Sequence, residues 1–372
     1  MLNNFKEWYK MLKELLISSL ALFMLGCSSS GKTVWYKGNT HVHTELCGHA
    51  DSHPDVVAKW YLDQGYNFLI LSEHNKYIDP VTVNLPANSR KDFILVPGQE
   101  VSGKKAIHTT AMNIKKIAPW DFDSKDKSKI IQSHVDGIRK EGGHAILNHP
   151  NFHHALDHTH IRKVKQLYMF ELFNAHPSVN TFGDAKSEST EKIWDKLLTS
   201  GMLIYGVSSD DAHHIKKWSA EKLKHFKKMG RAPSNPGRGW VMVNSSKLTP
   251  DALTDAMIHG NFYSSSGIFL KQIQKSTAKY ELEIDDLLTK AEISKKFVVG
   301  KTVKDVKEGY VIEFIGDAGK VLKSVTGLQA SFEPPARLKY LRAKVTLTLK
   351  ENDQLKQYYA WGQPVFFDQR KH

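Results

Sequence analysis

The chain has 372 residues, of which 41% are hydrophobic and 24% are charged. This composition excludes a largely disordered chain, and the length predicts two or three domains. The formal net charge of +13 favours anionic partners, but the basic residues are spread along the chain and predict no specific nucleic-acid groove.

The N-terminal segment, residues 1–27, is interpreted as a lipoprotein signal peptide and its lipidation site. Residues 15–25 form an apolar run with the length of a secretory signal core, too short to span a bilayer. A glycine and Cys27 end this run, as at a bacterial lipoprotein cleavage site. We therefore expect an envelope protein, anchored through lipid on Cys27 at the outer membrane or facing the periplasm. A soluble secreted protein is the alternative, and the true start is Met1 or Met11.

Residues 33–267 alternate between short apolar runs typical of strands and segments of helical period. The predicted strands are 34–38, 68–71, 93–96, 108–114, 144–147, 168–173, 203–207 and 240–243. The predicted helices are 54–64, 128–140, 189–199 and 250–260. This alternation predicts βα units whose helices cover a mostly parallel sheet or barrel. Functional sites in such folds gather at the carboxyl ends of the strands.

Two histidines follow the first predicted strand. His41 and His43 are two residues apart, so in extended backbone their side chains point to one face, and His49 follows on a loop that can fold back. Two imidazoles on one face commonly begin a divalent transition-metal site. Cys47 lies in the same stretch and, with Cys27 lipidated, has no disulfide partner. It is interpreted as a further ligand or, more simply, as a small buried residue beside the site.

Later strand ends carry the same kinds of residue. Each could be a capping or loop residue when taken alone, but loop residues without a shared role have no reason to recur at the ends of successive strands. Together they predict that the side chains converge on one metal site. They are His74, Glu100, His149, Asp211 and His213, with His108 at the start of the run after Glu100.

The set of motifs resembles the PHP (polymerase and histidinol phosphatase) domain over roughly residues 33–267. The motifs, in chain order, are HVHT at 41–44, LCGH at 46–49, SEH at 72–74, GQE at 98–100, NHP at 148–150 and DAH at 211–213. The resemblance implies an α/β fold, a distorted (β/α)7 PHP barrel, with up to three metal ions at its C-terminal face. The ions would be zinc, manganese or iron, because a His-rich site with few carboxylates does not separate these metals.

The resemblance also implies which residues hold each ion. The first would be held by His41, His43, Glu100 and Asp211. Glu100 would bridge to a second ion, completed by His108 and His149. A third would be held by His49, His74 and His213.

The expected activity is that of a metal-dependent phosphoesterase. A metal-bridging hydroxide would attack a phosphomonoester or phosphodiester, and no protein nucleophile is required. The substrate would be a phosphorylated small molecule, an envelope phosphoester or a nucleotide. Arg238 and His176 are the predicted catalytic residues, since they can contact phosphate or protonate the leaving group. The further candidates are Lys104 and Lys105 for phosphate contact and Glu171 and Asn174 for orienting the ligands.

Two other functions remain open at this point. An amidohydrolase-type hydrolase also places a His-x-His motif after its first strand, but it calls for a bridging lysine in mid-chain and a lone Asp on the last strand. A non-catalytic binding lipoprotein would retain the first domain only as a scaffold. The sequence leaves the oligomeric state open.

Residues 268–372 show a different pattern, with short alternating runs separated by turn residues. The predicted strands are 280–284, 297–299, 310–315, 321–325, 341–349 and 357–361. We interpret this segment as a small all-β sandwich domain without chemistry of its own, since its only histidine is the last residue.

Overall fold

The computed structural model describes residues 32–335 and 337–367. The predicted signal peptide and Cys27 lie outside the described residues. From Val34 onward the chain forms one compact unit. Within the described ranges, no helix has both the length and the apolar character needed to cross a membrane.

The first part of this unit alternates strands and helices, as the sequence predicted. The strands are β1 (Val34–Asn39), β2 (Phe68–Leu69), β3 (Ile94–Leu95), β4 (Gly98–Ser102), β5 (His108–Met112), β6 (His144–Leu147), β7 (Met169–Asn174), β8 (Tyr205–Ser209), β9 (Trp240–Ser245) and β10 (Phe262–Ser265). The helices are α1 (Pro54–Asp63), α2 (Lys127–Lys140), α3 (His158–Ile161), α4 (Thr190–Thr199), α5 (Ala220–Lys228) and α6 (Pro250–Ile258).

The second part is mainly β-structure. Its elements are β11 (Leu270–Lys275), β12 (Tyr280–Ile284), α7 (Asp286–Ile293), β13 (Lys301–Val303), β14 (Gly309–Gly316), β15 (Lys320–Thr326), β16 (Gln329–Phe332), β17 (Tyr340–Glu351) and β18 (Gln354–Phe366). The sequence analysis did not predict α7, β11 or β16. The strand that it predicted at 297–299 is wrong, because the strand in this region begins at Lys301.

Helix boundaries follow capping residues that the sequence supplies. The Ser189 side chain accepts the Lys192 backbone N–H at the start of α4, and Thr249 caps α6 directly before Pro250. α4 then buries Trp194. By contrast, α5 buries none of its residues, so its lysines form a solvated helix face.

The strands form a mixed α/β architecture of three sheets. A ten-stranded sheet has the order β15-β14-β17-β18-β10-β9-β1-β2-β3, with β13 beside β18. A five-stranded sheet has the order β4-β5-β6-β7-β8, and β11-β12-β16 form the third. β1, β2 and β3 are parallel, as are β6, β7 and β8. Among the described strands, the hydrogen-bond ladders do not close into a ring, so the predicted (β/α)7 barrel is not confirmed.

The prediction of a mostly parallel sheet is wrong, because the pairs β4–β5, β5–β6, β1–β9 and β9–β10 are antiparallel. β4 and β5 pair antiparallel because only five residues, 103–107, connect them, whereas a parallel crossover needs a dozen or more. Lys105 and Ala106 turn the chain with φ values of 63° and 54°. Glu100 therefore lies in the middle of β4, and not in a loop after the predicted strand at 93–96.

The C-terminal strands continue the sheet that carries the first strand. β18 pairs with β10, and the Gln363 amide accepts the Gly206 N–H at 2.9 Å and donates to the Gly206 carbonyl at 2.7 Å. Arg342 on β17 binds Asp195 on α4 through two hydrogen bonds of 2.7 and 2.8 Å. These contacts anchor β8 and α4 to the C-terminal strands. The division into domains at residues 267 and 268 stays a prediction.

Candidate metal centre

The four side chains expected to hold one ion bring their donor atoms together. Nε2 of His41 lies 3.1 Å from Nε2 of His43, and each of these nitrogens lies 3.4 Å from Oδ1 of Asp211. Oε1 of Glu100 lies 3.2 Å from His41 Nε2. All four residues are buried, so one point in the interior is surrounded by two imidazoles and two carboxylates.

The Glu100 carboxylate lies between histidines from several elements. Its Oε1 lies 3.3 Å from Nδ1 of His108 and 3.3 Å from Nε2 of His149. Its Oε2 lies 2.6 Å from Nδ1 of His74, and the Asn148 amide donates to Oε1 at 2.8 Å. Because the two oxygens face different imidazoles, the carboxylate has the arrangement of a ligand that bridges two ions.

The three histidines expected to hold a third ion pack beside His43. The His43 ring centroid lies 4.3 Å from that of His74 and 4.2 Å from that of His213. The ring of His49 lies 4.7 Å from that of His213 and 5.1 Å from that of His74. All nine predicted ligands therefore lie in one connected cluster, although their role as ligands stays a prediction.

Backbone pairing between separate loops holds the cluster in place. The loop after β1 runs parallel to the loop after β8, where the Asp211 N–H donates to the His41 carbonyl and the His43 N–H donates to the Ala212 carbonyl, each at 2.9 Å. Asp211 and His149 have positive φ values of 50° and 23°. Non-glycine residues in this region are strained and cluster at functional sites.

A second layer of side chains orients the imidazoles. Oε1 of Glu171 lies 2.7 Å from Nδ1 of His41, and its Oε2 accepts the His149 backbone N–H at 2.7 Å. The Asn174 amide donates to the same Oε2 at 2.8 Å and to Asp211 Oδ2 at 3.2 Å. The sequence named Glu171 and Asn174 for this role, and the structure places them there.

Two residues of this layer had no assigned role in the sequence analysis. The buried carboxylate of Glu73 accepts hydrogen bonds from the N–H and hydroxyl of Thr44, and its other oxygen lies 3.6 Å from Nδ1 of His43. Asn148 orients Glu100 as described above. Their place in the sequence could have indicated this role, because Glu73 and Asn148 directly precede the candidate ligands His74 and His149.

The electrostatics of the cluster are dominated by burial and by its carboxylates. Burial alone would lower the pKa of His41 and His43, but the nearby carboxylates of Asp211, Glu73 and Glu100 outweigh this effect and raise the pKa of His43 to about 9. The charges of Asp211, Glu171 and Glu100 likewise raise the pKa of His41. Burial alone would raise the pKa of Glu100 and Asp211, but the surrounding histidines hold both pKa values well below the usual range.

The donor set fits divalent metal ions. Glu100 and Asp211 are paired only with imidazoles, and no lysine or arginine pairs with either within residues 32–335 and 337–367. Several groups of three side chains place one donor atom each within 4.8 Å of the others, including His41, His43 and Glu100. The negative potential that raises the pKa of His41 and His43 would also attract cations, and imidazole with carboxylate suits zinc, iron or manganese.

The two predicted catalytic residues, His176 and Arg238, differ in their contacts with the candidate ligands. The His176 ring centroid lies 5.5 Å from that of His213, and Nδ1 of His176 accepts the Ser178 N–H at 3.1 Å. The Arg238 backbone N–H donates to the buried carboxylate of Asp210 at 2.7 Å. Its guanidinium makes no hydrogen bond to any of the nine candidate ligands, and its Nε is buried without a partner in the described chain. The structure thus brings His176 to the cluster, while the role of Arg238 stays a prediction.

The two candidate phosphate-binding lysines lie in an exposed turn. Lys104 and Lys105 both pair with Asp123, with Nζ to carboxylate distances of 3.5 and 3.8 Å. Pairing of this kind at the surface contributes little to stability. The structure does not bring either ammonium group into contact with the cluster.

Comparison with solved structures found six chains that match this one. A crystal structure of a two-domain protein containing a predicted PHP-like metal-dependent phosphoesterase, from Bacteroides vulgatus ATCC 8482, aligns with a TM-score of 0.43 and 12% sequence identity. The alignment covers 88% of this chain and 95% of that chain. No family model matches the chain, and no curated protein matches it. At this identity and TM-score, the likeness carries no conclusion about activity.

Proposed function

We propose that the chain is a metal-dependent phosphoesterase that acts on a phosphomonoester or phosphodiester. The observation that carries this proposal is the Glu100 carboxylate, whose two oxygens face histidines from several separate elements. The nine candidate ligands, which run from His41 to His213, gather in one cluster around this carboxylate, in the order that the PHP-like motifs imply. In such a site, bound divalent ions would neutralise the phosphate ester and lower the pKa of a bound water toward neutrality.

The residues of the chain would divide the remaining work. The nine candidate ligands would hold two or three ions, and Glu171 would fix the ring of His41 through its Nδ1. His176 would donate a hydrogen bond to a phosphate oxygen of the substrate, and the leaving group would take its proton from water. Because the Ser178 N–H can only donate, Nδ1 of His176 is unprotonated and the neutral ring carries its proton on Nε2.

The cellular location of the protein and its fold as a PHP barrel are part of the same proposal. We infer from the sequence that lipid on Cys27 anchors the chain at the cell envelope and that the substrate is a phosphoester met there. The two larger sheets would correspond to the halves of a distorted PHP barrel. The isolated bridges from Val42 to Ala212 and from His74 to Glu100 support this correspondence, since each links a segment that follows a strand of the ten-stranded sheet to the five-stranded sheet or the loop after it.

The competing functions call for different observations. The amidohydrolase-type alternative calls for a bridging lysine, and the nine-residue cluster contains none. A non-catalytic binding protein would need no oriented ligand set, yet Glu171 orients the imidazole of His41 and Asn148 orients the carboxylate of Glu100 through hydrogen bonds. We therefore favour the phosphoesterase.

The test combines metal analysis with an ester assay. The purified chain is expected to hold about two to three divalent ions and to hydrolyse p-nitrophenyl phosphate or bis-p-nitrophenyl phosphate in an EDTA-sensitive manner. Glu100→Gln should lower both metal content and turnover, the latter by about 100-fold or more. Glu333→Gln, at an exposed position, is the matched control and should change neither. A metal-loaded protein that hydrolyses no ester across a broad phosphate panel would favour the binding protein instead.

A further inference from the structure

We propose that Cys47 is a tenth ligand of the metal centre, so that one ion is held partly by sulfur. This inference rests on the proposed metal centre and extends it, because the nine candidate ligands contain only nitrogen and oxygen donors. Sulfur ligation changes which metals the centre prefers. It also supplies a spectroscopic signature that does not depend on activity.

The local backbone brings the thiol back toward the histidines. Cys47 ends a short 3-10 turn, Glu45–Cys47, and Gly48 follows with a φ of 81°, a left-handed conformation that glycine adopts without strain. His49 therefore folds back, with its Nδ1 3.2 Å from the Cys47 carbonyl. The Cys47 sulfur and one ring nitrogen each from His49 and His213 all lie within 4.8 Å of one another.

His213 provides an independent sign that a ligand belongs in this group. Only 6% of its surface is exposed, and its Nδ1 lies 3.0 Å from the Asp211 carbonyl, to which it donates. Nε2 is then the ring nitrogen with a free electron pair. This Nε2 makes no hydrogen bond in the described part of the chain, so its electron pair is free to bind an ion.

Burial raises the pKa of the Cys47 thiol to about 11, with a further contribution from the charge of Glu73, so the thiolate would form when an ion binds. One backbone contact favours that thiolate. The Ala50 backbone N–H points at the Cys47 sulfur with a separation of 3.3 Å, and such a donor stabilises negative charge on the sulfur. The sulfur also lies within 4.8 Å of donor atoms of His43 and Glu73, so the thiol connects the three-histidine group to the layer that orients His43. The thiol is only partly buried, which leaves a path for an ion to reach it.

Thiolate ligation would separate metals that the nitrogen and oxygen donors do not. Sulfur ligands favour zinc and disfavour manganese, which prefers carboxylate, carbonyl and water oxygen. A centre with Cys47, His49 and His213 as ligands would therefore bind zinc, or cobalt as its spectroscopic substitute, more tightly than manganese at this position. The remaining ligands, His41 and Asp211 among them, would keep their broader preference.

Cobalt(II) titration of the full chain tests the proposal. Binding is followed by absorption, because a cobalt–thiolate bond gives a charge-transfer band in the near ultraviolet that nitrogen and oxygen ligands do not give. Cys27→Ser is the matched control, since it leaves Cys47 as the sole cysteine. We expect the band in the unmodified chain and in Cys27→Ser. We expect Cys47→Ser to lose the band and to bind its weakest cobalt ion about tenfold or more less tightly.

The outcomes separate this proposal from the proposed function. Cobalt binding without a charge-transfer band in Cys27→Ser would overturn the role of Cys47 and leave the phosphoesterase proposal intact. A band that disappears in Cys27→Ser would also overturn it, because another thiol would be the ligand. Failure of cobalt to bind at all would overturn both proposals. Cys27→Ser alone decides the question if Cys47→Ser does not fold, since any band in it must come from Cys47.

Discussion

Glu171 lies 2.7 Å from Nδ1 of His41, so one carboxylate directs the Nε2 of that imidazole toward Glu100 and Asp211. A carboxylate in this position fixes both the tautomer and the orientation of a ligating histidine. Burial alone would raise the pKa of Glu171, but the charge of His41 and its hydrogen bond lower it. Glu171 is therefore ionised at neutral pH, as an orienting acceptor must be.

Glu171→Gln should weaken metal binding without removing a ligand. The amide can accept only at its oxygen, so it cannot receive hydrogen bonds from both His41 and the His149 backbone as the carboxylate does. We expect metal affinity to fall about 10- to 100-fold, measured by competition with a chromophoric chelator. Glu333→Gln should leave the affinity unchanged. Equal affinity in the two variants would show that Glu171 does not orient His41.

Arg342→Met should destabilise the whole unit, because Arg342 joins the C-terminal strands to α4. Its guanidinium is 1% exposed and holds Asp195 in two hydrogen bonds. Removing one partner of a buried pair leaves an uncompensated charge, which costs about 3–5 kcal/mol. Urea unfolding should therefore show a lower midpoint. The double variant Arg342→Met with Asp195→Leu should regain part of this loss, whereas a change below about 1 kcal/mol in the single variant would contradict the prediction.

The convergence of His41, His43, His74, His149, Asp211 and His213 was predictable, because each follows a strand that has a parallel neighbour. His41 and His43 share a face by strand geometry, and residues after parallel strands gather at one edge of a fold. The approach of His108 to Glu100 could not be predicted in the same way. It depends on the antiparallel hairpin of β4 and β5, whereas the alternation of strands and helices predicted parallel neighbours.

The packing of the C-terminal strands against the first part of the chain could likewise not be predicted from the sequence. Gln363 binds Gly206, and Arg342 binds Asp195, across separations of 157 and 147 residues. Periodicity indicates which face of a strand is buried, but it does not identify the element that covers that face. The strands at 280–284 and 341–349 were predictable from alternation alone, while their attachment to the first part of the chain depends on these pairs of polar side chains.

Glu191 should make the stability of the protein sensitive to acid. Burial alone would raise its pKa, but the charges of Lys344 and Arg342 outweigh burial and lower the pKa to about 2. A carboxyl group whose pKa is lower in the folded state than in the unfolded state stabilises the fold above the unfolded value, near 4.5. That contribution is lost as the pH falls toward 2.

The measurement is urea unfolding at a series of pH values between 6 and 2. The unfolding midpoint of the unmodified chain should decline over this range, because the unfolded state binds more protons there than the folded state. In Glu191→Gln the decline should be smaller, since the titrating group is absent, whereas Glu333→Gln should behave as the unmodified chain. A pH profile unaffected by Glu191→Gln would rule out this group as the source of acid sensitivity.

Removing metal should lower thermal stability, because Glu100 and Asp211 are buried carboxylates without a lysine or arginine partner in the described chain. An ion that binds only the folded state stabilises it by about 2.7 kcal/mol at a free concentration of 100 times Kd. The EDTA-treated protein should therefore melt several degrees below the zinc-loaded protein in calorimetry, and Tm should rise with added zinc. Glu100→Gln should melt at nearly the same temperature with and without EDTA, since its main bridging carboxylate is gone. Identical melting of the treated and loaded forms of the unmodified chain would argue against any ion bound within the fold.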